Sequence, residues 1–433
     1  MAAAFSAPKG TFDVIPGAER EFGSEQWRRA VDLLTQPARL AAYGNIETPM
    51  FEDTSLFHRG VGESTDVVTK EMFTFTDRGN RSLTLRPEMT ASVVRAVNEH
   101  SLHRGQLPVK LWYAGPMFRA ERPQAGRYRQ FTQVGIEALG VDDPALDVEV
   151  IALGVRAFAA VGLPNVRLLL NSMGDGNCRP AYTEALRLYL RDHLPEADED
   201  TLRRLDLNPL RILDDKRPQL ADVIANAPVL ADHLCDECRA YDAAVRGHLA
   251  DLGIAYEDAP RLVRGLDYYR RTTFEFQHGL LGAQNAVGGG GRYDGLSESI
   301  GGDPLPGIGW SLGVERILLA LRAESVTLDT QPRCDVYVVP LGAEAKRAAV
   351  RYVDALRGLG IAADMAYGDR GLKGAMKGAD RSGARLALVL GDRDIAAGEA
   401  PLKNLLTGEQ SPVSLEDAPA HIAAALRQLK ENA

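Results

Sequence analysis

Residues 118–131 read FRAERPQAGRYRQF, which places Arg119, Arg122, Arg127 and Arg129 in one loop with a single carboxylate, Glu121. A guanidinium is planar, permanently charged and offers a fork of donors that fits two phosphate oxygens at once. Four of them together could therefore hold a triphosphate. Glu121 cannot serve phosphate and needs a different partner. Charge runs are more often solvated faces, so the loop gains meaning from two further arginines far away in sequence: Arg264 in LVRGLDYY and Arg316 in GVER. Arg316 stands in an apolar, glycine-punctuated stretch. A buried charge there is costly unless it meets an anion, either a ligand or an acid such as Glu315.

These groups need elements to position them. The extended runs LWYAGPMF and FTQVGIEALG flank the arginine loop at hairpin separation. Upstream, the pattern predicts a helix over 19–43, an extended IETPMFED, and TLRPEMT leading into a helix ASVVRAVNEH capped by Thr90 or Ser92. A helix over 144–161 follows. Over about 171–255 the chain turns to Leu, Ala, Arg and Asp at helical spacing, which reads as an inserted helical domain. RLVRGLDYYRRTTFEFQH and AVGGGGRYDGL read as extended, and GIGWSLGVERILLAL reads as a buried helix. The polar AESVTLDTQPR is a linker. Beyond it DVYVVPL, IAADMAY and LALVLG alternate with helices as βαβ crossovers do. The expected divisions are a first catalytic segment over 1–171, a helical insertion over 172–256, a second catalytic segment over 257–322, a linker over 323–332 and a C-terminal domain over 333–433.

A length of 433 residues suggests two to three domains, and 45% hydrophobic with 25% charged residues is ordinary globular usage. No stretch approaches the ~20 apolar residues that span a bilayer. The start MAAAFSAPKG lacks a basic region followed by an apolar core, so a cytoplasmic protein without a secretory signal is expected. A net charge of −9 argues against bulk electrostatic coating of nucleic acid and leaves room for a local basic surface. The four cysteines are too few and too irregular for a disulfide framework. Cys235 and Cys238 form a CxxC, and His233 offers at most a third ligand. That falls short of the four a structural zinc site needs, so these read as helix-borne thiols and no metal site is expected.

Taken together, TLRPEMT, the arginine loop, LVRGLDYY, GGGRYDGL and GVER resemble, in order and spacing, the bacterial histidyl-tRNA synthetases, which are class II aminoacyl-tRNA synthetases. The arginine loop resembles motif 2, the GVER segment motif 3, and the region around Pro49 the dimer-forming motif 1. LVRGLDYY and GGGRYDGL resemble the two histidine-specific signatures. The resemblance implies an α+β fold: a mixed, mostly antiparallel catalytic sheet flanked by helices, a helical insertion and a C-terminal α/β anticodon-binding domain. It implies activation of L-histidine with ATP and Mg²⁺, transfer to tRNA(His), and a homodimer. Arg119 would hold the α-phosphate and the reacting carboxylate, Arg127 and Arg316 the γ-phosphate, Glu121 the adenine amino group, and Phe131 would stack on the base. Arg264 would face the α-phosphate from the other side, where related enzymes use a metal ion. Glu137 and Tyr269 would bind the imidazole, Glu88, Thr90 and Gln133 the α-amino group, with Tyr268 and Tyr293 lining the pocket. Lys373, Lys377, Arg381 and Arg385 would form the basic edge of the anticodon domain.

The chain departs from the family at Met89, within PEMT where PEGT is usual, and at Thr132 where FHQ is usual. The competing expectation is the noncatalytic, histidine-sensing regulatory subunit of ATP phosphoribosyltransferase. That relative typically lacks the C-terminal domain and degrades the signatures.

Overall fold

The computed structural model describes residues 5–17, 21–62, 65–194, 198–215, 217–368 and 370–431. The chain forms two compact units, Met1–Asp329 and Thr330–Ala433.

An eight-stranded sheet organises the first unit. Its strand order is Gly44–Asn45, Val109–Phe118, Gln130–Leu139, Gly307–Gly313, Ala286–Arg292, Arg270–His278, Val166–Ser172 and Glu257–Asp258. The pairings are antiparallel except at the two edges, where the short outer strands run parallel to their neighbours. Val109–Phe118 and Gln130–Leu139 pair from Val109 opposite Leu139 to Phe118 opposite Gln130. The arginine loop is therefore the connection of one long hairpin. Helix Pro144–Ala160 backs the sheet; the Asp143 carboxylate caps its start by accepting from Ala145 N at 2.8 Å. The indole of Trp310 donates to Val150 O at 2.7 Å and fastens this helix to the central strand.

Three expectations change. The stretch beginning GIGWSLG is not helical throughout: Gly307–Gly313 is a central strand, and the helix is Val314–Ala323. A short apolar run buried on both faces has the same composition in either state. Glycine decides it here. A Cβ on Gly309 would lie 1.9 Å from Glu137 Oε2, and one on Gly307 would lie 2.2 Å from the Tyr293 ring, so only glycine lets this strand lie flush. Second, neither Thr90 nor Ser92 caps the helix Thr90–Glu99; the Glu88 carboxylate accepts from Thr90 N at 2.8 Å and Ala91 N at 2.9 Å instead. Third, of RLVRGLDYYRRTTFEFQH only Arg270–His278 is strand. The first helix runs Ser24–Leu40, within the predicted 19–43, of which 19 and 20 lie outside the described residues.

The predicted helical stretch 172–256 includes 195–197 and 216, which are outside the described residues. Helices Arg179–His193 and Glu199–Leu207 pack with Leu210, Leu230 and Cys238 around their own apolar cluster. Helix Asp236–Asp251 instead sends Val245 and Leu249 into the main core. A smaller sheet, Phe51–Asp53, Ser82–Leu85 and Phe73–Thr76, leaves Met50, Phe51 and Phe75 exposed. The C-terminal unit has a five-stranded sheet ordered Ala363–Met365, Val336–Leu341, Leu386–Gly391, Glu399–Asn404 and Gln410–Ser414. Its first three strands are parallel and joined by helical crossovers, and the last two are antiparallel. No helix among the described residues is long and apolar enough to cross a membrane.

Candidate active site

One cleft on the large sheet is lined by Glu88, Thr90, Arg119, Glu121, Arg127, Phe131, Gln133, Glu137, Arg264, Tyr268, Tyr269, Tyr293 and Arg316. They come from the 88–90 turn, the hairpin, the 264–269 segment, the end of the glycine-rich strand Ala286–Arg292, which Tyr293 follows, and the helix Val314–Ala323. The sheet brings these distant segments into register: Gly288 pairs with Leu312, and Gln133 with Gly313.

The outer region of the cleft is cationic. The Arg119 guanidinium lies over the Phe131 ring at 5.3 Å and donates from Nε to Pro87 O at 3.0 Å. Arg127 Nη1 is 3.1 Å from Glu121 Oε2, a buried oxygen that accepts no hydrogen bond. Arg316 forms no ion pair with Glu315. Its Nε donates to Gly126 O at 2.9 Å and its Nη1 to Ala286 O at 2.7 Å, while Glu315 accepts from Thr132 N at 2.8 Å. Burial, then the charge of Arg127, holds Arg316 below its ordinary pKa, the state of a cation placed among cations. Arg264 meets Glu275. The four-arginine reading of the loop is corrected here: Arg119 and Arg127 enter the cleft, whereas Arg122 is exposed. Arg129 is taken up by backbone, donating to Glu121 O at 3.2 Å and Lys9 O at 3.4 Å. Arg264 and Arg316 complete the set of arginines that line the cleft.

The inner end is polar and buried. Glu137 is 1% exposed and accepts from Tyr293 Oη at 2.7 Å, Thr90 Oγ1 at 2.8 Å and Tyr113 Oη at 3.4 Å. No cation partners it, and burial pushes its carboxyl up to about 8. Glu88, also buried and likewise pushed up by desolvation, holds the 88–91 backbone and meets Tyr268 Oη at 3.5 Å. Gln133 Oε1 is buried without a hydrogen-bond partner. Tyr268 packs edge-on to both Tyr269 and Tyr293. Such a pocket suits a small polar ring that brings its own donors and acceptors, and leaves buried groups unpaired for a hydrocarbon ring.

Sequence reasoning missed Tyr113 and Glu275. For Tyr113 a signal exists in the pairing: it stands opposite Gly135, where a Cβ would lie 2.3 Å from its ring. Nothing in the local pattern marks Glu275. Four buried or half-buried groups also converge outside the cleft, Asp175, Cys178, Cys235 and Cys238, and the first two are neighbours that the sequence reading of Cys235 and Cys238 did not include. His233 is not among them and lies against the Tyr182 ring at 5.6 Å.

With this geometry in hand, comparison with known proteins is informative. A family model described as histidyl-tRNA synthetase matches residues 19–317, and one described as an anticodon binding domain matches 335–425. The chain belongs to the histidyl-tRNA synthetase family. A histidine–tRNA ligase from Saccharopolyspora erythraea is 57% identical over 98% of this chain and 99% of that relative. One from Rhodococcus opacus is 59% identical, again over 98% and 99%. The crystal structure of apo S. aureus histidyl-tRNA synthetase superimposes with a TM-score of 0.82 at 38% identity, covering 97% of this chain and 100% of that one.

The two departures of the chain from the family pattern are at Met89 and Thr132. Met89 is buried among Val93, Val97 and Tyr113, with its sulfur accepting from Thr48 Oγ1 at 3.8 Å. Thr132 pairs with Pro116 and uses its backbone N–H on Glu315. Neither side chain lines the pocket.

Proposed function

We propose that this chain is a histidine–tRNA ligase: it activates L-histidine with ATP, releasing pyrophosphate, and passes the histidyl group to the 3′ end of tRNA(His). The histidine carboxylate attacks the α-phosphorus in line, and a terminal ribose hydroxyl of the tRNA then attacks the carbonyl carbon of histidyl-adenylate and displaces AMP. Both steps are governed by positioning and by stabilisation of charge on the phosphorus and carbonyl centres.

The observation that carries the reading is the convergence of Arg119, Arg127, Arg264 and Arg316 on one cleft whose inner end is a buried, hydrogen-bonding pocket. Arg119 and Arg264 are assigned to the α-phosphate and the reacting carboxylate, and Arg127 and Arg316 to the γ-phosphate. Mg²⁺ enters with ATP as the MgATP substrate. Glu121, with its unsatisfied Oε2, takes the adenine amino group, and Phe131 stacks on the base beside the Arg119 guanidinium. Glu137 and Tyr269 bind the imidazole, Glu88, Thr90 and Gln133 the α-amino group, and Tyr268 and Tyr293 wall the pocket.

In the C-terminal unit Lys373, Lys377 and Arg381 are exposed along one face of the helix Leu372–Ser382, with Arg385 just beyond it. This surface suits single-stranded anticodon bases. We assign the helical stretch 172–256 to the tRNA acceptor stem, the exposed Met50, Phe51 and Phe75 to a homodimer interface, and the protein to the cytoplasm. The regulatory-subunit reading accounts for neither the arginine cluster nor the anticodon domain.

The test is amino-acid-dependent ATP–pyrophosphate exchange across the twenty amino acids, with Arg264→Ala as control. Exchange with histidine alone, lost in the control, is expected. Histidine binding without exchange for any amino acid would replace the ligase with a sensor.

A further inference from the structure

The helical stretch holds a second constellation that the ligase chemistry does not use. Asp175 and Cys178 form a D-x-x-C at the start of the helix Arg179–His193. Cys235 and Cys238 form a C-x-x-C at the start of the helix Asp236–Asp251. Folding brings the two pairs together, and their carboxylate oxygen and three sulfurs all lie within 4.8 Å of one another. In a tetrahedral zinc site with Zn–S of about 2.3 Å, neighbouring sulfurs are about 3.8 Å apart, so the donors reach that geometry with a small contraction.

Backbone donors reach two of the three sulfurs. Cys235 N donates to Cys178 Sγ at 3.1 Å and Cys238 N to Cys235 Sγ at 3.5 Å, backbone bonds that favour sulfur carrying negative charge. Asp175 Oδ1 is oriented by the N–H groups of Asn177 at 2.9 Å and Cys178 at 3.1 Å, and it receives the Cys178 thiol at 3.2 Å. Cys178 and Cys238 are buried, while Asp175 and Cys235 sit at the half-buried edge, leaving a route for an ion to enter. Arg270 is near enough to act electrostatically on Asp175, and Arg271, itself paired with Asp142 and Glu237, on Cys238.

We propose that Asp175, Cys178, Cys235 and Cys238 form a structural zinc site. Three soft thiolates and one carboxylate in four-coordinate reach suit Zn²⁺ and exclude the oxygen-only cages of Mg²⁺ and Ca²⁺. The ion would tie two helix starts together where the chain meets the histidine pocket. Gly174 O, beside Asp175, accepts from Arg271 N at 2.7 Å, and Arg179 Nη1 donates to Tyr269 O at 3.1 Å. Zinc would thereby act as a clasp on the segment carrying Tyr268 and Tyr269.

The experiment is metal analysis of the reduced full-length protein, purified without chelator from zinc-supplemented medium and dialysed. It is run beside Cys235→Ser, Asp175→Asn and, as control, Cys334→Ser in the C-terminal unit. Serine can replace Cys235 as the cap of the helix Asp236–Asp251, so that variant should fold. One equivalent of zinc in the wild type and in Cys334→Ser, with at least a tenfold loss in Cys235→Ser, is expected. Exchange of the wild-type metal for Co²⁺ should give the sulfur-to-metal charge-transfer absorption of a tetrahedral thiolate site. Absence of zinc from the wild type, zinc retained in full by both site variants, or a Cys178–Cys235 disulfide persisting in the purified protein would overturn the assignment.

Discussion

The Arg264 guanidinium rests against Gly289: a Cβ built on that glycine would lie 2.9 Å from both Cζ and Nη1, and 2.7 Å from Phe274 O. The glycine run 288–291 thus keeps the sheet floor bare so that an arginine can lie on it. The next glycine performs a related service, since a Cβ on Gly290 would fall 1.9 Å from Gly309 O. Gly289→Ala must therefore displace Arg264 or push neighbouring strands apart. Histidine-dependent pyrophosphate exchange should fall by about 10²–10³, the range seen when one preorganised charge-stabilising donor is lost. ATP binding, measured by equilibrium dialysis, should weaken far less. Wild-type exchange in Gly289→Ala would mean that Arg264 does not act from this position.

Much of this site was legible because its elements are local. The hairpin shows as two runs of period two around a loop, and arginines flanked by aromatics and glycines stand out by type. What was not legible depends on partners distant in sequence. Arg122 and Arg129 look like Arg127, and only the fold turns one to solvent and bonds another to Glu121 O and Lys9 O. Gly307–Gly313 is apolar on both faces, so periodicity could not distinguish strand from helix. Cys235 showed one nearby candidate ligand, His233, whereas its neighbours in space, Cys178 and Asp175, lie across several turns of chain.

Tyr293 donates to Glu137 Oε2 at 2.7 Å within a fully buried cluster. Tyr293→Phe leaves that oxygen without its shortest bond and should cost about 1–3 kcal/mol of stability by urea unfolding. The KM for histidine should rise roughly tenfold or more, with kcat changed less, because the lost bond orients a binding group and not the phosphate. An unchanged KM would remove Glu137 from the imidazole site.

Burial raises the Glu137 carboxyl to about 8, so the folded protein keeps a proton there that the unfolded chain, with an ordinary carboxyl, has released. Stability from this group is therefore full at acidic pH. It declines between about pH 5 and pH 8, by up to about 1.4 kcal/mol per pH unit. Glu315, raised by burial to about 7, adds the same sign over a narrower window. Urea midpoints of the free protein should drop across this range, and Glu137→Gln should flatten the decline. A slope identical in the variant would show that Glu137 is not the group responsible.

Glu121 Oε2 is buried, paired only with Arg127, and lacks a hydrogen-bond donor. An adenine amino group would supply one, and the 6-oxo group of inosine would not. The wild type should accordingly prefer ATP over ITP in pyrophosphate exchange by about 10- to 100-fold, and Glu121→Ala should reduce that preference several-fold. An equal preference in both proteins would place the base elsewhere.

Arg292 follows the glycine run and is wholly buried, with Nε 3.1 Å from Asp147 Oδ1, Nη1 3.0 Å from Asp294 Oδ1, and Nη2 donating to Val141 O at 2.9 Å. It does not line the cleft. It locks the glycine strand to the helix Pro144–Ala160 that backs the sheet. Removing one member of such a network strands the others, so Arg292→Met should destabilise the first unit by about 3–5 kcal/mol in urea unfolding. Asp147→Leu on that background deletes an acid that has lost its partner. The double variant should regain some of the loss, a coupling that independent sites do not show. Strictly additive losses would mean that the pair acts through packing alone, and that the charge at Arg292 does not set the position of the glycine strand beneath Arg264.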